Sequence, residues 1–403
     1  MSLPTFLQLS TLTSYPSVLL NRDDSGLAKR MPFGGAVRTR ISSQCLKRHW
    51  RLAQDPHSLT KAGEDLSLAV RSREVISRRL AAPLMAEGFP MDVVNAVLAS
   101  FQADLFGKKS GSGEEEESAK TKGGKKADAD PNKRGEVVVL GEAELAFLLS
   151  LARDVCTQAK GDPKKAKADK LLKSRMKEFV QQGAGVDAAM FGRFLSGEPT
   201  ARVTSAVHVA HALTVHAEAA ETDYFTAVDD LTREEHSGSG HLGATELTSG
   251  LFYTYVVVDV PGLVENLGGG PREKWLSADR TVAARLARHL IHLVCTVTPG
   301  AKLGSTAPYA RAGFVLAELG ESQPRTLANA FLDPLRLDQE DILLRASQAL
   351  STHLTSLDAM YGCKESRLVA SLDSAMTAPA ASRMSLPELA QAVERAILTA
   401  GQS

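Results

Sequence analysis

The run GLFYTYVVVDV, residues 250–260, constrains this chain more than any other stretch. Its side chains are apolar at odd and even positions alike, so a strand built from it has no face to give to water. Such a strand belongs in the middle of a sheet that is covered on both sides. Two other segments offer it partners. TFLQLSTLT, near the start, and AGFVLAEL, residues 312–319, both predict strands. Between the second and third of these strands lies SADRTVAARLARHLIHLVCTV. It sets Val282, Leu286, Leu290, Leu293 and Val294 along one side, which predicts an amphipathic helix with Ser277 as its cap.

The remaining segments complete an α+β pattern. NRDDSGLAKRMPFGG reads as a loop closed by Gly34 and Gly35, and AVRTRI as a short strand. Its alternation puts Val37, Thr39 and Ile41 on one side and Arg38 and Arg40 on the other. Ser42 or Ser43 offers an N-cap for a helix beginning near Gln44. From Glu64 to Phe106 the spacing is mostly helical, and it is helical again in EAELAFLLSLARDVCTQ and ADKLLKSRMKEFVQQ. Residues 107–135 are low-complexity, charged and glycine-rich, without an aromatic, so they predict a flexible surface insertion. Residues 183–250 carry many short polar turns, which suits an arm projecting from a body. The order of elements predicts a split βαβ core interrupted by a largely helical insertion.

Length and composition bound the class. The 403 residues suit two or three domains, and a hydrophobic fraction of 43% with 23% charged residues is that of a globular protein. The four cysteines are far apart with no CxxC pair, which argues against a zinc ribbon or disulfide framework and suits a reducing compartment. No signal-peptide pattern and no apolar run of roughly 18 residues is present, so a cytoplasmic location is expected.

Charge is balanced overall, 47 Lys plus Arg against 47 Asp plus Glu, but not locally. From Ser25 to Gln54 there are seven basic residues and no acid: Lys29, Arg30, Arg38, Arg40, Lys47, Arg48 and Arg51. On a helix starting near Gln44, the residues Gln44, Lys47, Arg48 and Arg51 share one face, while Leu46, Trp50 and Ala53 lie opposite. The helix start should also leave backbone N–H groups and the positive end of the dipole for an anion. With Arg38 and Arg40 on the preceding strand, this track suits a chain of phosphates.

Other chemistries are weaker. His208, His211, His216, His289 and His292 form no known zinc spacing with Cys or carboxylate. NLGGGPRE lacks the ending of a phosphate loop, and the Ser42–Ser43 pair has no histidine at a recognisable spacing. The serious rival is a metal-dependent ribonuclease using Asp23 and Asp24. The alternative task for these two aspartates is to hold Arg22, Lys29 or Arg30 by charge-assisted hydrogen bonds.

NRDD (21–24), FGG (33–35) and RISSQCLKR (40–48) strongly resemble the N-terminus of the CasC family, the repeated backbone subunit of the type I-E CRISPR surveillance complex, Cascade. In order and rough spacing, YFTAVDDL, HLGATELTSGLFYTY, ENLGG, TPGAK and LANAF extend the resemblance through most of the chain. It implies an RNA-recognition-motif-like (ferredoxin-like) palm of the RAMP superfamily, with a helical finger insertion and a β-hairpin thumb. The palm would comprise residues 1–60 and 250–335, the finger 61–182, the thumb with its connections 183–249, and a C-terminal helical segment 336–403. Several copies would stack along a CRISPR RNA beside CasA, CasB, CasD and CasE-type subunits, support its pairing with a target DNA strand, and need no cofactor. Arg22, Gln44, Lys47, Arg48 and Arg51 would touch guide phosphates. Phe194, Tyr224, Phe225, Thr226 and Leu242 would form the thumb wedge. Phe194 stands where a methionine is expected, and the sheet aromatics that stack bases in a true RNA-recognition motif are not evident. The type I-E tag implies a scaffold, with cutting done by a separate nuclease.

Overall fold

The computed structural model describes residues 3–107, 130–166, 168, 171–227, 241–300 and 307–402. The chain forms two compact units: one of Met1–Ala62, Val207–Pro261 and Leu276–Ser403, the other of Gly63–Ala206 and Gly262–Trp275.

The first unit is built on a ten-stranded sheet. In chain order its strands are β1 (Phe6–Val18), β2 (Arg30–Phe33), β3 (Ala36–Ile41), β4 (Val207–Val209) and β5 (Ala212–Thr214). They continue with β6 (Ala220–Ala227), β7 (His241–Asp259), β8 (Phe314–Gly320), β9 (Ser366–Ser371) and β10 (Ala381–Arg383). The spatial order is β10-β9-β8-β1-β7-β5-β3-β2, with β4 and β6 also pairing with β7. All these pairs are antiparallel except β9 with β10.

The apolar run in β7 is central, between β1 and β4 or β5, as its two-faced hydrophobicity requires. Leu12 sits opposite both Tyr253 and Phe314. The ladder between β1 and β7 jumps from Tyr15↔Gly250 to Val18↔Thr248. The skipped residues are Pro16, which has no N–H to give, and Ser17, whose φ is 46°.

Four longer helices belong to this unit: α1 (Ser43–Leu52), α2 (Thr281–Thr296), α3 (Ile342–Tyr361) and α4 (Leu386–Leu398). The face of the sheet that carries Leu12, Tyr253, Phe314 and Leu316 packs against Ala346, Leu350 and Leu354 of α3. Alternation sends Leu7 and Leu9 to the opposite face, where α2 packs on β1 and α4 packs on α2. Helix α2 begins three residues later than a Ser277 cap allows. Its entry is set by Asp279, whose Oδ1 accepts the Thr281 amide at 2.9 Å. The segment 336–403, expected to be helical, also contains β9 and β10. Val369 and Ala370, both buried, point to opposite faces there, so this stretch extends the sheet beyond β8.

The second unit is mainly helical. Helices Met91–Phe106 and Glu142–Ala159 bury Val97, Phe101, Leu148 and Ala152 together with Phe179, and the short strands Val70–Ser72 and Val138–Leu140 pair antiparallel. Two structural pairs are held there, Arg193 on buried Glu144 and Arg71 on buried Asp187. The unit extends to Ala206, so residues 183–206 join the helical unit and not the arm expected over 183–249. Arg193 explains this: its backbone bridges to Val203 and its guanidinium reaches both Glu144 and the Ala201 carbonyl.

Residues 108–129 of the low-complexity insertion lie outside the described residues. Its last residues are packed, against expectation. Asn132 donates to Asn95 and accepts from Gln102, and the Arg134 guanidinium lies 4.5 Å from the Phe106 ring centre.

In the first unit, His57 and His292 stack face to face with ring centres 3.7 Å apart, and His289 meets His57 edge-on. Burial, His57 and Arg288 together lower the His292 pKa from 6.5 to about 4, while Asp55 works weakly the other way. His57 is also lowered, chiefly by burial. A group with a depressed pKa takes its proton first in the unfolded chain, so acid favours unfolding. The stability lost between pH 6.5 and 4 through His292 is about 3 kcal/mol. His292→Phe, which keeps a ring for the stack, should therefore flatten the fall of the urea midpoint over that pH range. An unchanged pH profile would remove His292 as its cause.

Candidate nucleic-acid interface

The loop after β1 is organised by its own side chains. The Asn21 Oδ1 accepts the Ser42 amide at 2.9 Å, and the Asn21 carbonyl accepts the Lys29 amide. Asp23 Oδ1 accepts the amides of Ser25 and Leu27 at 2.9 and 3.0 Å. Thus Asp23 shapes a turn and does not grip Arg22, Lys29 or Arg30, as the sequence suggested. Arg30 pairs instead with Glu218 and Glu246.

Beyond the loop, Gly34 and Gly35 turn β2 into β3 with φ of 59° and 76°. A Cβ on Gly34 would stand 1.6 Å from the Leu332 carbonyl oxygen, so only glycine fits this approach. The same contact explains a correction. Arg38 was expected on the outer track beside Arg40, but it is 0% exposed. Its guanidinium donates to the carbonyls of Phe33, Thr214 and Phe331 at 3.2, 3.0 and 2.8 Å and ties the turn to the 331–332 segment. Burial alone lowers its pKa. On the same strand Val37 is exposed, while Thr39 and Ile41, expected on its side, are buried.

Helix α1 starts as the sequence indicates. The Ser42 hydroxyl accepts the Cys45 amide, and no acid occurs in the first turn. Leu46 and Trp50 are buried, Gln44 and Arg48 are exposed, and Lys47 and Arg51 are half-buried between them. Three backbone N–H groups at this end already have acceptors: Ser42 on Asn21, Ser43 on His211 and Cys45 on Ser42. The expectation of several vacant donors for an anion therefore does not hold, and side chains must do the work.

Those side chains are concentrated. Burial, and then the nearby Arg40 and Lys29, lower the His211 pKa, while Lys29 and Arg48 oppose the burial that pushes the Cys45 thiol up to about 11. Among the described residues, no carboxylate pairs with Arg22, Lys29, Arg40 or Arg48. Arg22 is exposed on the loop, where its backbone bridges to Ala28. Like charges this close cost energy unless an anion meets them.

The hairpin β6–β7 carries the residues expected to form a wedge. Its register places Tyr224 opposite Ala244, Phe225 opposite Gly243 and Thr226 opposite Leu242. Tyr224 is 72% exposed. Phe225 is less available, because its ring occupies the space a Gly243 side chain would need, within 2.3 Å of a Cβ built there. Phe194 belongs to the other unit and lies under the Arg202 guanidinium at 4.5 Å. Sequence spacing could not separate these three aromatics.

Four of the five histidines weighed as metal ligands are otherwise engaged, His211 by the Ser43 amide. His216 sits between the Ala217 carbonyl and the Leu251 amide, His289 on the Ser58 carbonyl and His292 on His57. No set of three His, Cys, Asp or Glu residues that could hold a metal ion occurs among the described residues. No helix among them is long and apolar enough to cross a membrane. The sequence weighed His211 only as a metal ligand and Asn21 only as part of the NRDD motif, and placed neither at the start of α1. His211 lies 168 positions from its partner, so no local pattern signals it.

Comparison with known proteins adds a separate line. The family described as CT1975-like protein matches residues 7–395. No curated protein matches the chain. Among solved structures, a chain of a "CRISPR RNA-guided surveillance complex, pre-nicking" is 28% identical, with a TM-score of 0.77 over 98% of this chain and 100% of that one. A chain of another "CRISPR RNA-guided surveillance complex" is 24% identical, with a TM-score of 0.71 over 97% of this chain and 100% of that one, and shows a shared fold.

Proposed function

This chain belongs to the CT1975-like protein family, and from that premise we propose that it is a non-catalytic backbone subunit of a CRISPR RNA-guided surveillance complex. In this reading several copies polymerise along the guide RNA in a type I-E Cascade-like assembly. The sheet unit is the palm, the helical unit the finger and β6–β7 the thumb. The observation that carries the reading is likeness over 98% of the chain to a subunit of such a complex. The cluster of Lys29, Arg40 and Arg48 around α1 supplies the matching chemistry, since clustered cations without acids hold a phosphate backbone. Tyr224, exposed beside a Phe225 that covers a glycine, is the wedge that splays a nucleotide from the stack. Asp23 acts through backbone amides and orients the loop.

Recovery of the chain with its co-expressed guide tests this. Nuclease-protected RNA should co-purify, with nucleotides of raised chemical reactivity at regular spacing, and Tyr224→Ser should even out that pattern. Complementary RNA and DNA should be bound with Mg²⁺ or Mn²⁺ present and left uncut. Absence of protected RNA would reject the reading. Regular cuts lost on Asp23→Ala or Asp24→Ala would make this chain a nuclease.

A further inference from the structure

We propose that His211 is a guide-contacting residue, a neutral donor set among the cations at the start of α1. This rests on the RNA-binding reading above. The Ser43 amide donates to His211 Nδ1 at 3.0 Å, so Nδ1 is the acceptor nitrogen. In a neutral ring the single proton then sits on Nε2. The residue is exposed, and no described residue accepts from Nε2. Both charged groups that act on the ring are cations, Arg40 from β3 and Lys29 from the preceding loop, and they oppose its protonation together with partial burial. The result is a fixed N–H donor on a surface that carries Arg40, Lys29 and Arg48 and, among the described residues, no carboxylate paired with them. The chemistry that satisfies all four groups is an anionic oxygen on a chain of such oxygens, an RNA phosphodiester.

A neutral donor differs from a cation in a measurable way. Lysine and arginine contacts release counterions and appear in the salt dependence of binding. A neutral N–H lowers the dissociation constant by the same factor at every salt concentration. The two ring nitrogens can also be separated by substitution. His211→Asn keeps an acceptor near Nδ1 for Ser43 and has no atom at Nε2. His211→Gln places a donor near Nε2 and loses the acceptor.

The test is fluorescence anisotropy of an RNA oligonucleotide titrated with the full-length, RNA-free chain over a range of salt, beside thermal melts. His211→Asn should melt like wild type and bind about tenfold more weakly with an unchanged log–log salt slope. His211→Gln should melt lower and bind within a few-fold of wild type. Wild-type binding by His211→Asn would overturn the proposal, as would equal losses of binding and melting temperature in both variants. Competition by inorganic phosphate at low concentration would reveal an isolated anion site and overturn the assignment to RNA. Lys47→Ala/Arg48→Ala/Arg51→Ala in the same assay separates the two levels. If that variant loses binding while His211→Asn does not, only the histidine contact fails. If wild type itself binds no RNA, the RNA reading falls and takes this one with it.

Discussion

Replacing Lys47, Arg48 and Arg51 together by alanine is expected to weaken RNA binding about 100-fold near 0.1 M salt. Each phosphate contact on a single strand contributes about 0.7 to the slope of log affinity against log salt, so three contacts contribute about 2. The wild-type and variant lines converge near 1 M salt, and one decade below it they stand about two decades apart. The loss should be similar for unrelated RNA sequences, because phosphates carry no base identity. Leu46 and Trp50, buried on the other side of α1, keep the helix in place, so circular dichroism should be unchanged. An unaltered slope in a folded variant would move the RNA track elsewhere.

Arg38→Ala should leave the salt slope untouched and destabilise the fold by about 4 kcal/mol. Its guanidinium serves the carbonyls of Phe33, Thr214 and Phe331, and the buried carbonyls of Thr214 and Phe331 lose a charged donor when the side chain is cut. Lysine cannot take its place, because an ammonium lacks the planar fork that reaches three acceptors in different directions. Arg38→Lys should therefore recover less than half of the loss in urea denaturation. A variant as stable as wild type, with a salt slope reduced by about 0.7, would return Arg38 to the RNA track.

These two expectations separate residues that the sequence could not. Arg38 and Arg40 alternate correctly for one side of a strand, yet the Phe331 and Leu332 carbonyls take the Arg38 guanidinium and bury it, while Arg40 stays half-buried. Arg30 stands in an acid-free stretch, yet Glu218 and Glu246 reach it from β6's approach and from β7. Among the described residues, the same fold gives Lys29, Arg40 and Arg48 no such partners. A count of local charge thus included two cations that the fold engages elsewhere, Arg30 and Arg38, of which only Arg38 stood in the expected track.

What the sequence determined by itself was everything that depends on near neighbours. The apolar run in β7 had to be central, Ser42 or Ser43 had to cap α1, and the spacing of Leu46 and Trp50 set which side of that helix faces out. Such features follow from the period of a strand or helix and from bonds spanning three or four residues. Only the tertiary structure decided which cations remain for a ligand, which aromatic stands clear, and where a donor sits among the charges. Arg30 finds its acids 188 and 216 positions away, His211 meets Ser43 across 168, and Phe225 closes over Gly243 in the opposite strand. A residue's partner over such distances is chosen by how strands pair and sheets pack, and no local period encodes that choice.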